Sequence, residues 1–167
     1  MKLAVVFGLF NPPSKCDQIL FDALAERAAD DTECVIMTND QFDARNPMGV
    51  LEKQEVIGLM MTAPVTLRMD YDHFIQFLQA ESGNYDSIEF ICDHEVPPSV
   101  NRAVKKYSSV PIKVTKIDTG GADDAHWNMM VALQAGDVEL FGKYYGGDDT
   151  TKDELFTKMQ ERIKCLS

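Results

Sequence analysis

One stretch near the start of the chain, LAVVFGLFNPPSKCDQILFDAL, constrains the fold more than any other. Residues 3–7 form a continuous apolar run, which is typical of a strand buried on both faces of a sheet. Gly8 and two prolines then make a turn, and apolar residues at helical spacing predict a helix from about Cys16 to about Ala29. A buried strand, a tight turn and a helix together predict the first half of a βαβ unit.

Strand and helix patterns continue to alternate along the chain. Further strands are predicted in ECVIMTN, VTLRM, YDSIEFICD and SVPIKVTKID. Three helices are predicted at the end of the chain: one over His126–Gln134, one capped by Asp137, and one from Thr151 with Glu154 completing a capping box. The sequence therefore predicts an α/β fold with a doubly wound parallel sheet, as a single domain over residues 1–167 whose C-terminal part, about 125–167, is helical.

Composition excludes several classes of partner. The chain has 27 acidic and 16 basic residues, a formal net charge of −11, and no cluster of Lys and Arg large enough to follow a nucleic-acid backbone. The four cysteines have no CxxC spacing, so we predict no metal site. No apolar run approaches the ~20 residues that span a bilayer, and the N-terminus lacks the pattern of a signal peptide. We expect a cytoplasmic protein with no nucleic-acid or membrane partner.

The turn after the first strand has the shape of a phosphate site. Gly8 permits close approach of a ligand to the backbone, and the partial positive charge at the N-terminus of the following helix favours an anion. Asp17 opposes this interpretation, because a carboxylate in the first turn stabilises the helix but repels phosphate. The same residues also suit a strand-to-helix turn that binds nothing.

The stretch VVFGLFNPPSKCDQILFDAL resembles the first motif of the HIGH-type nucleotidyltransferase superfamily, especially the cytidylyltransferase-like proteins of large tailed phages and the nicotinamide-nucleotide adenylyltransferases. That motif reads approximately G-x-F-N-P-P-T-x-G-H. Three later stretches resemble further family motifs in the same order: ARNPMGVLEKQEVIGLMM, YDSIEFICDHEVPPSVNRAVKKY and NMMVALQAGDVELFGKYYGG. The resemblance covers most of the chain and implies a Rossmann-like nucleotidyltransferase fold.

The resemblance also implies where functional residues would lie. The catalytic positions of the first motif fall on Ser14, Lys15 and Asp17. The nucleotide-binding positions fall on Phe7, Gly8, Leu9, Phe10, Asn11, Asp93 and His126. Ser14 and Asp17 stand where active members have histidines. At Asp17 a negative charge therefore replaces a side chain that donates a hydrogen bond to phosphate. The later Ser/Thr and Arg signature falls on Ala125, Trp127 and Met130, next to the acidic stretch DTGGADD.

We therefore expect a degenerate nucleotidyltransferase-fold protein that is catalytically inactive and kept as a binding or structural component, with a protein partner or a second copy of itself. On the phage resemblance, it would act in the host cytoplasm or in the virion. The alternative is a rewired cytidylyl- or adenylyltransferase that uses CTP or ATP with Mg²⁺, or a protein that only senses the nucleotide. No cofactor is required in the first case. Six basic residues would either retain some binding of anions or simply lie on the solvated surface: Lys15, Arg45, Lys53, Arg102, Lys105 and Lys106.

Overall fold

The structure is a computed structural model that describes residues 1–62 and 64–166. Within these residues, strands alternate with helices as far as the last strand, and three helices follow it. The strands are β1 (Lys2–Phe7), β2 (Thr32–Met37), β3 (Thr66–Arg68), β4 (Ser87–Cys92) and β5 (Ile112–Lys116). The α-helices are α1 (Lys15–Ala25), α2 (Val50–Met60), α3 (Phe74–Glu81), α4 (Pro98–Tyr107), α5 (Ala122–Ala135), α6 (Val138–Tyr144) and α7 (Asp149–Leu166), and a 3-10 turn covers Ser82–Asn84.

The strands form one parallel sheet in the order β3-β2-β1-β4-β5. The central strand β1 pairs with β2 and β4, so that Val5 lies between Val35 and Phe90. The chain adds β2 and β3 on one side of β1, then returns to the other side to add β4 and β5. This reversal beside β1 is the strand order of a Rossmann-like fold. The predicted α/β class and doubly wound parallel sheet are confirmed.

The chain divides into two compact units that are interleaved in sequence. The first unit consists of Met1–Gly8, Leu20–Asn39 and Met61–Asp118, and it contains the whole sheet. The second unit consists of Leu9–Ile19, Asp40–Met60 and Thr119–Ser167. The single domain over residues 1–167 with a helical part from about 125 stays a prediction.

The core of the first unit is aromatic on one face of the sheet. Phe74 and Phe77 of α3 project toward the strands, and the Phe74 ring stacks on Phe90 of β4 with centroids 4.5 Å apart. Leu3 and Val5 alternate along β1 on the same face. The buried run predicted from residue 3 therefore places its odd-numbered residues against α3, as the two-residue period of a strand requires.

An aromatic cluster joins α6 to α7 in the second unit. Phe141 of α6 stacks on Tyr145 and meets Phe156 of α7 edge-on, with centroids 5.1 and 5.3 Å away. Aromatic residues such as Phe141, Tyr144 and Tyr145 can serve either as apolar surface for assembly or as part of the core. Phe141 and Tyr145 are buried in the core, and Tyr144 is half-buried. Two of these three rings therefore offer no surface to a partner.

Two helices begin earlier than predicted. α5 starts at Ala122 rather than His126, so part of the stretch predicted as a flexible acidic loop is its first turn. Gly121 precedes the helix with φ +112, a left-handed conformation that glycine adopts without strain. α7 starts at Asp149, and the carboxylate of Asp148, not the predicted Thr151 hydroxyl, caps it by accepting the Thr151 N–H at 3.0 Å. In each case the acidic residues match the positive end of the helix dipole.

α7 is 18 residues long, and its buried residues are Leu155, Phe156 and Met159. Charged side chains occupy much of the rest of its length. No helix in residues 1–62 and 64–166 combines the length and the apolar character needed to cross a membrane.

A charged cluster joins β3 to α3 in the first unit. The guanidinium of Arg68 donates to both carboxylate oxygens of Glu81, at 2.8 and 2.7 Å, and also bonds Asp70. The Tyr71 hydroxyl donates to Glu81 as well, at 2.5 Å. These bonds, above all those from Arg68, hold the pKa of Glu81 below its ordinary value of 4.5. A carboxylate bound in this bidentate way is among the stronger surface ion pairs.

We expect Glu81→Gln to lower the free energy of unfolding by about 1–2 kcal/mol at pH 7, because it breaks charge-assisted bonds to Arg68. Because the folded-state pKa is lowered, the stabilisation is present above pH 4.5 and lost as the pH falls below it. Urea denaturation between pH 3 and pH 7 measures this. The difference between wild type and variant should shrink in acid. The exposed Glu161→Gln is the control, and an equal effect of both substitutions would contradict the prediction.

Candidate functional site

The turn between β1 and α1 begins at the carboxyl end of the central strand. Gly8 donates its N–H to the carbonyl of Met37 at 3.1 Å, which extends the pairing of β1 with β2. Phe10 is buried with φ +44, and the Asn11–Pro12 peptide bond is cis. Phe10 thus has a left-handed backbone conformation that residues other than glycine seldom adopt.

Asn11 holds the turn to the segment that precedes α2. Its side-chain Nδ2 donates to the carbonyls of Gln41 and Met48 at 3.2 and 3.1 Å, and its Oδ1 accepts the Met48 N–H at 2.7 Å. The side chain is buried. These three bonds use both polar atoms of the amide, so Asn11, predicted to bind nucleotide, has a structural role in the second unit.

Ser14 and Asp17 form a capping box at the start of α1. The Asp17 carboxylate accepts the Ser14 N–H at 2.7 Å and the Ser14 hydroxyl at 3.0 Å, while the Ser14 Oγ accepts the Asp17 N–H at 3.2 Å. This arrangement satisfies donors at the helix start that would otherwise remain unpaired. Two predicted catalytic residues are therefore bonded to each other, and the carboxylate lies at the helix N-terminus.

A glycine near the end of α6 packs against the turn. Gly146 donates its N–H to the carbonyl of Pro13 at 2.9 Å, and Tyr145 forms a β-bridge with Ser14. A Cβ at position 146 would lie 2.6 Å from the Ser14 carbonyl oxygen and from the Met60 methyl, closer than side chains tolerate. Ser14 itself is only 1% exposed. The contact of Gly146 was not predicted from the sequence, although the pair Gly-Gly in YYGGDD was a visible signal.

Lys15 is the exposed member of the predicted catalytic group. Its Nζ donates to the carbonyl of Gly142 at 3.1 Å. The structure therefore brings Ser14, Lys15 and Asp17 together at the start of α1. Ser14 is buried, Asp17 is half-buried, and Lys15 points toward α6.

The other predicted nucleotide-binding residues are divided between the two units. Phe7, Gly8 and Asp93 belong to the first unit, at the carboxyl ends of the neighbouring strands β1 and β4. Asp93 is bonded to the His94 ring at 2.9 Å. Leu9, Phe10, Asn11 and His126 belong to the second unit, together with the predicted catalytic group.

His126 lies on α5 and is half-buried. Burial lowers the pKa of His126 below its ordinary value, although Asp123 and a hydrogen bond to the backbone of Arg45 act in the opposite direction. Trp127, its neighbour, is exposed rather than packed. Among the described residues, no group of three or more His, Cys, Asp and Glu could hold a metal ion.

Lys53 is buried, so the prediction that it lies on the solvated surface is wrong. It lies in α2 and is only 1% exposed. Burial lowers the pKa of Lys53 to about 8, and the charge of Asp40 partly offsets that effect. A buried lysine in a helix with an otherwise apolar inner face cannot be recognised from spacing alone.

Comparison with models of known protein families and with curated proteins found no match to this chain. The resemblance to nucleotidyltransferases therefore stays a prediction.

We expect Asp17→Ala to lower the free energy of unfolding by about 1 kcal/mol, because it removes the carboxylate that accepts two bonds from Ser14. Urea denaturation at pH 7 measures the change. Asp22→Ala, an exposed position on the same helix, is the control for loss of a negative charge. If the two variants are equally stable, the capping role of Asp17 is wrong.

We expect the stability of the wild type to rise between pH 7 and pH 9.5, relative to Lys53→Met, by about 2 kcal/mol. The pKa of Lys53 is lowered to about 8 in the folded state from an ordinary 10.5, so the unfolded chain binds more protons across this range. Denaturation at several pH values checks this. Lys143→Met, an exposed position, should show no such difference. A flat difference between wild type and Lys53→Met would show that Lys53 titrates normally.

Proposed function

We propose that this chain is a degenerate nucleotidyltransferase-fold protein, which has lost catalysis and is kept as a binding or structural component. The observation that carries the proposal is the position of the Asp17 carboxylate. It lies at the N-terminus of α1, where it accepts the N–H and the hydroxyl of Ser14. In the family that the sequence resembles, this is the position of a histidine that contacts phosphate.

The negative charge of Asp17 opposes the binding of a nucleoside triphosphate at the start of α1. Two unit charges 4 Å apart repel each other by roughly 4 kcal/mol at an effective dielectric constant near 20. The carboxylate also uses the Ser14 donors that a phosphate would need. Transfer of a nucleotidyl group depends almost entirely on positioning the reactants and on stabilising negative charge in the transition state. A site that carries a carboxylate there cannot provide this stabilisation.

The second signature supports the same proposal. Its positions fall on α5, where Ala125 and Met130 are buried and Trp127 is exposed. Ala125 and Met130 have no hydrogen-bond donor in their side chains, and Met130 lacks the positive charge of the Arg that the signature requires. Trp127 offers one neutral N–H. Asp123 and Asp124 add negative charge to the first turn of the same helix.

The remaining role is binding to another protein. Leu51 and Leu59 of α2 are exposed, Leu51 by 79%, in a helix whose opposite side is buried. Exposed apolar side chains of this kind support a protein partner or a second copy of the chain. On the resemblance to phage proteins, we place this component in the virion or in the cytoplasm of the host.

We expect the purified protein to release no pyrophosphate from ATP, CTP, GTP or UTP, with or without Mg²⁺. We further expect Asp17→Asn to bind inorganic triphosphate at least tenfold more tightly than the wild type, because the amide keeps an acceptor for Ser14 but removes the charge. Pyrophosphate release is followed by a coupled assay, and triphosphate binding by calorimetry. Inorganic triphosphate isolates the phosphate contacts, since it carries no base.

Asp22→Asn is the matched control, because it removes one charge from the same helix away from its start. It should bind triphosphate as the wild type does. Release of pyrophosphate by the wild type, abolished by Lys15→Ala, would overturn the proposal in favour of a rewired enzyme. If Asp17→Asn binds triphosphate no better than Asp22→Asn, Asp17 is not what excludes the phosphate.

A further inference from the structure

A cavity of about 580 Å³ lies within the second unit, apart from the start of α1. Its volume is in the range of sites that bind small molecules. Residues of α5, α7 and the segment before α2 line it. Its lining includes Arg45, His126, Trp127, Met130, Gln134 and Ile163.

The wall that carries Arg45 is a fixed turn. The Asp43 carboxylate accepts the N–H groups of Arg45 and Asn46 at 2.8 and 2.9 Å and the Asn46 side chain at 3.0 Å. The backbones of Asp43 and Asn46 also bond each other in both directions. His126 of α5 lines the same cavity as this turn. A wall held in this way is formed before a ligand arrives.

Trp127 gives the cavity a flat aromatic surface. It is the only tryptophan in the chain, and 69% of it is exposed. Met130, three residues later on α5, is buried, and Ile163 of α7 adds a further apolar side chain. An indole face beside apolar side chains suits a planar ring, which stacks on it with little ordering cost.

The charge of the cavity is opposite to that of the chain. The chain carries 27 Asp and Glu, but none in residues 1–62 and 64–166 is among the residues that line the cavity. Asp123, in the first turn of α5, is a carboxylate whose charge acts on His126. Arg45 is exposed and, in residues 1–62 and 64–166, takes part in no ion pair. The nearby Asp43 carboxylate is bonded to the amides of its own turn. A guanidinium beside apolar side chains favours an anion with oxygen acceptors.

We propose that this cavity binds a small planar aromatic anion, with its ring on the Trp127 indole and its acidic group on the Arg45 guanidinium. Gln134 offers an amide at the same cavity for a second polar contact. This site lies apart from the start of α1, on which the proposed function rests. It includes His126 and two positions of the second signature, Trp127 and Met130, and Arg45 is one of the cations predicted for residual anion binding.

The test uses 2-naphthoate as the probe, with the neutral 2-naphthylmethanol and the non-aromatic cyclohexanecarboxylate as comparison compounds. Trp127 gives the single indole N–H resonance of the protein, and that resonance should shift with saturation as 2-naphthoate is added. Each comparison compound should bind at least tenfold more weakly, since it lacks either the charge or the ring. Dissociation constants come from the same titration.

Arg45→Gln should weaken 2-naphthoate binding at least tenfold and leave 2-naphthylmethanol unchanged. Lys143→Gln, an exposed cation on α6 that does not line the cavity, is the matched control and should bind as the wild type does. An unchanged far-UV spectrum shows that both variants fold. The proposal is overturned if 2-naphthoate does not saturate the resonance, if either comparison compound binds equally well, or if Arg45→Gln and Lys143→Gln behave alike. None of these results bears on pyrophosphate release or on the binding of triphosphate to Asp17→Asn.

Discussion

The turn between β1 and α1 must satisfy its own buried polar groups, and much of the second unit is arranged around that requirement. Asn11 bonds the backbone before α2, Ser14 bonds Asp17, and Pro13 accepts from Gly146. Each bond pairs a buried donor with an acceptor, as native structures require because an unpaired group costs about 1–3 kcal/mol. Side chains and backbone of one short turn therefore bond the segment before α2, the start of α1 and the residue that follows Tyr145.

The need to pair buried polar groups also shows how a helix start can be completed without a ligand and without a change of fold. The start of a helix needs acceptors for its first N–H groups, and either a bound phosphate or a carboxylate of the chain supplies them. With Asp17 as the acceptor, the turn is complete without a ligand. The capping of this helix start therefore requires no bound anion.

Much of the fold was predictable because it depends on local periodicity. The apolar run from residue 3 and the strand near residue 90 were both buried strands of a parallel sheet, as predicted. Helix starts were less predictable, because several acidic residues compete to cap α7, and the choice of Asp148 over Thr151 depends on the path of the chain before it. The capping role of Asp17 was visible in the sequence. The burial of Lys53 and the contact of Gly146 with Ser14 were not, because residues distant in sequence create them.

The interleaving of the two units has a consequence for how the chain can be divided. Each unit is assembled from three separate segments, and helix α1 begins in one unit and ends in the other. No continuous fragment therefore contains one unit complete without part of the other. Fragment expression and domain transplantation, which work for consecutive domains, have no natural cut point here. Each unit can form only when residues far apart in the chain meet. The last segment of the first unit ends at Asp118 and that of the second at Ser167, so we expect the first unit to wait for residue 118 and the second for nearly the whole chain to be synthesised.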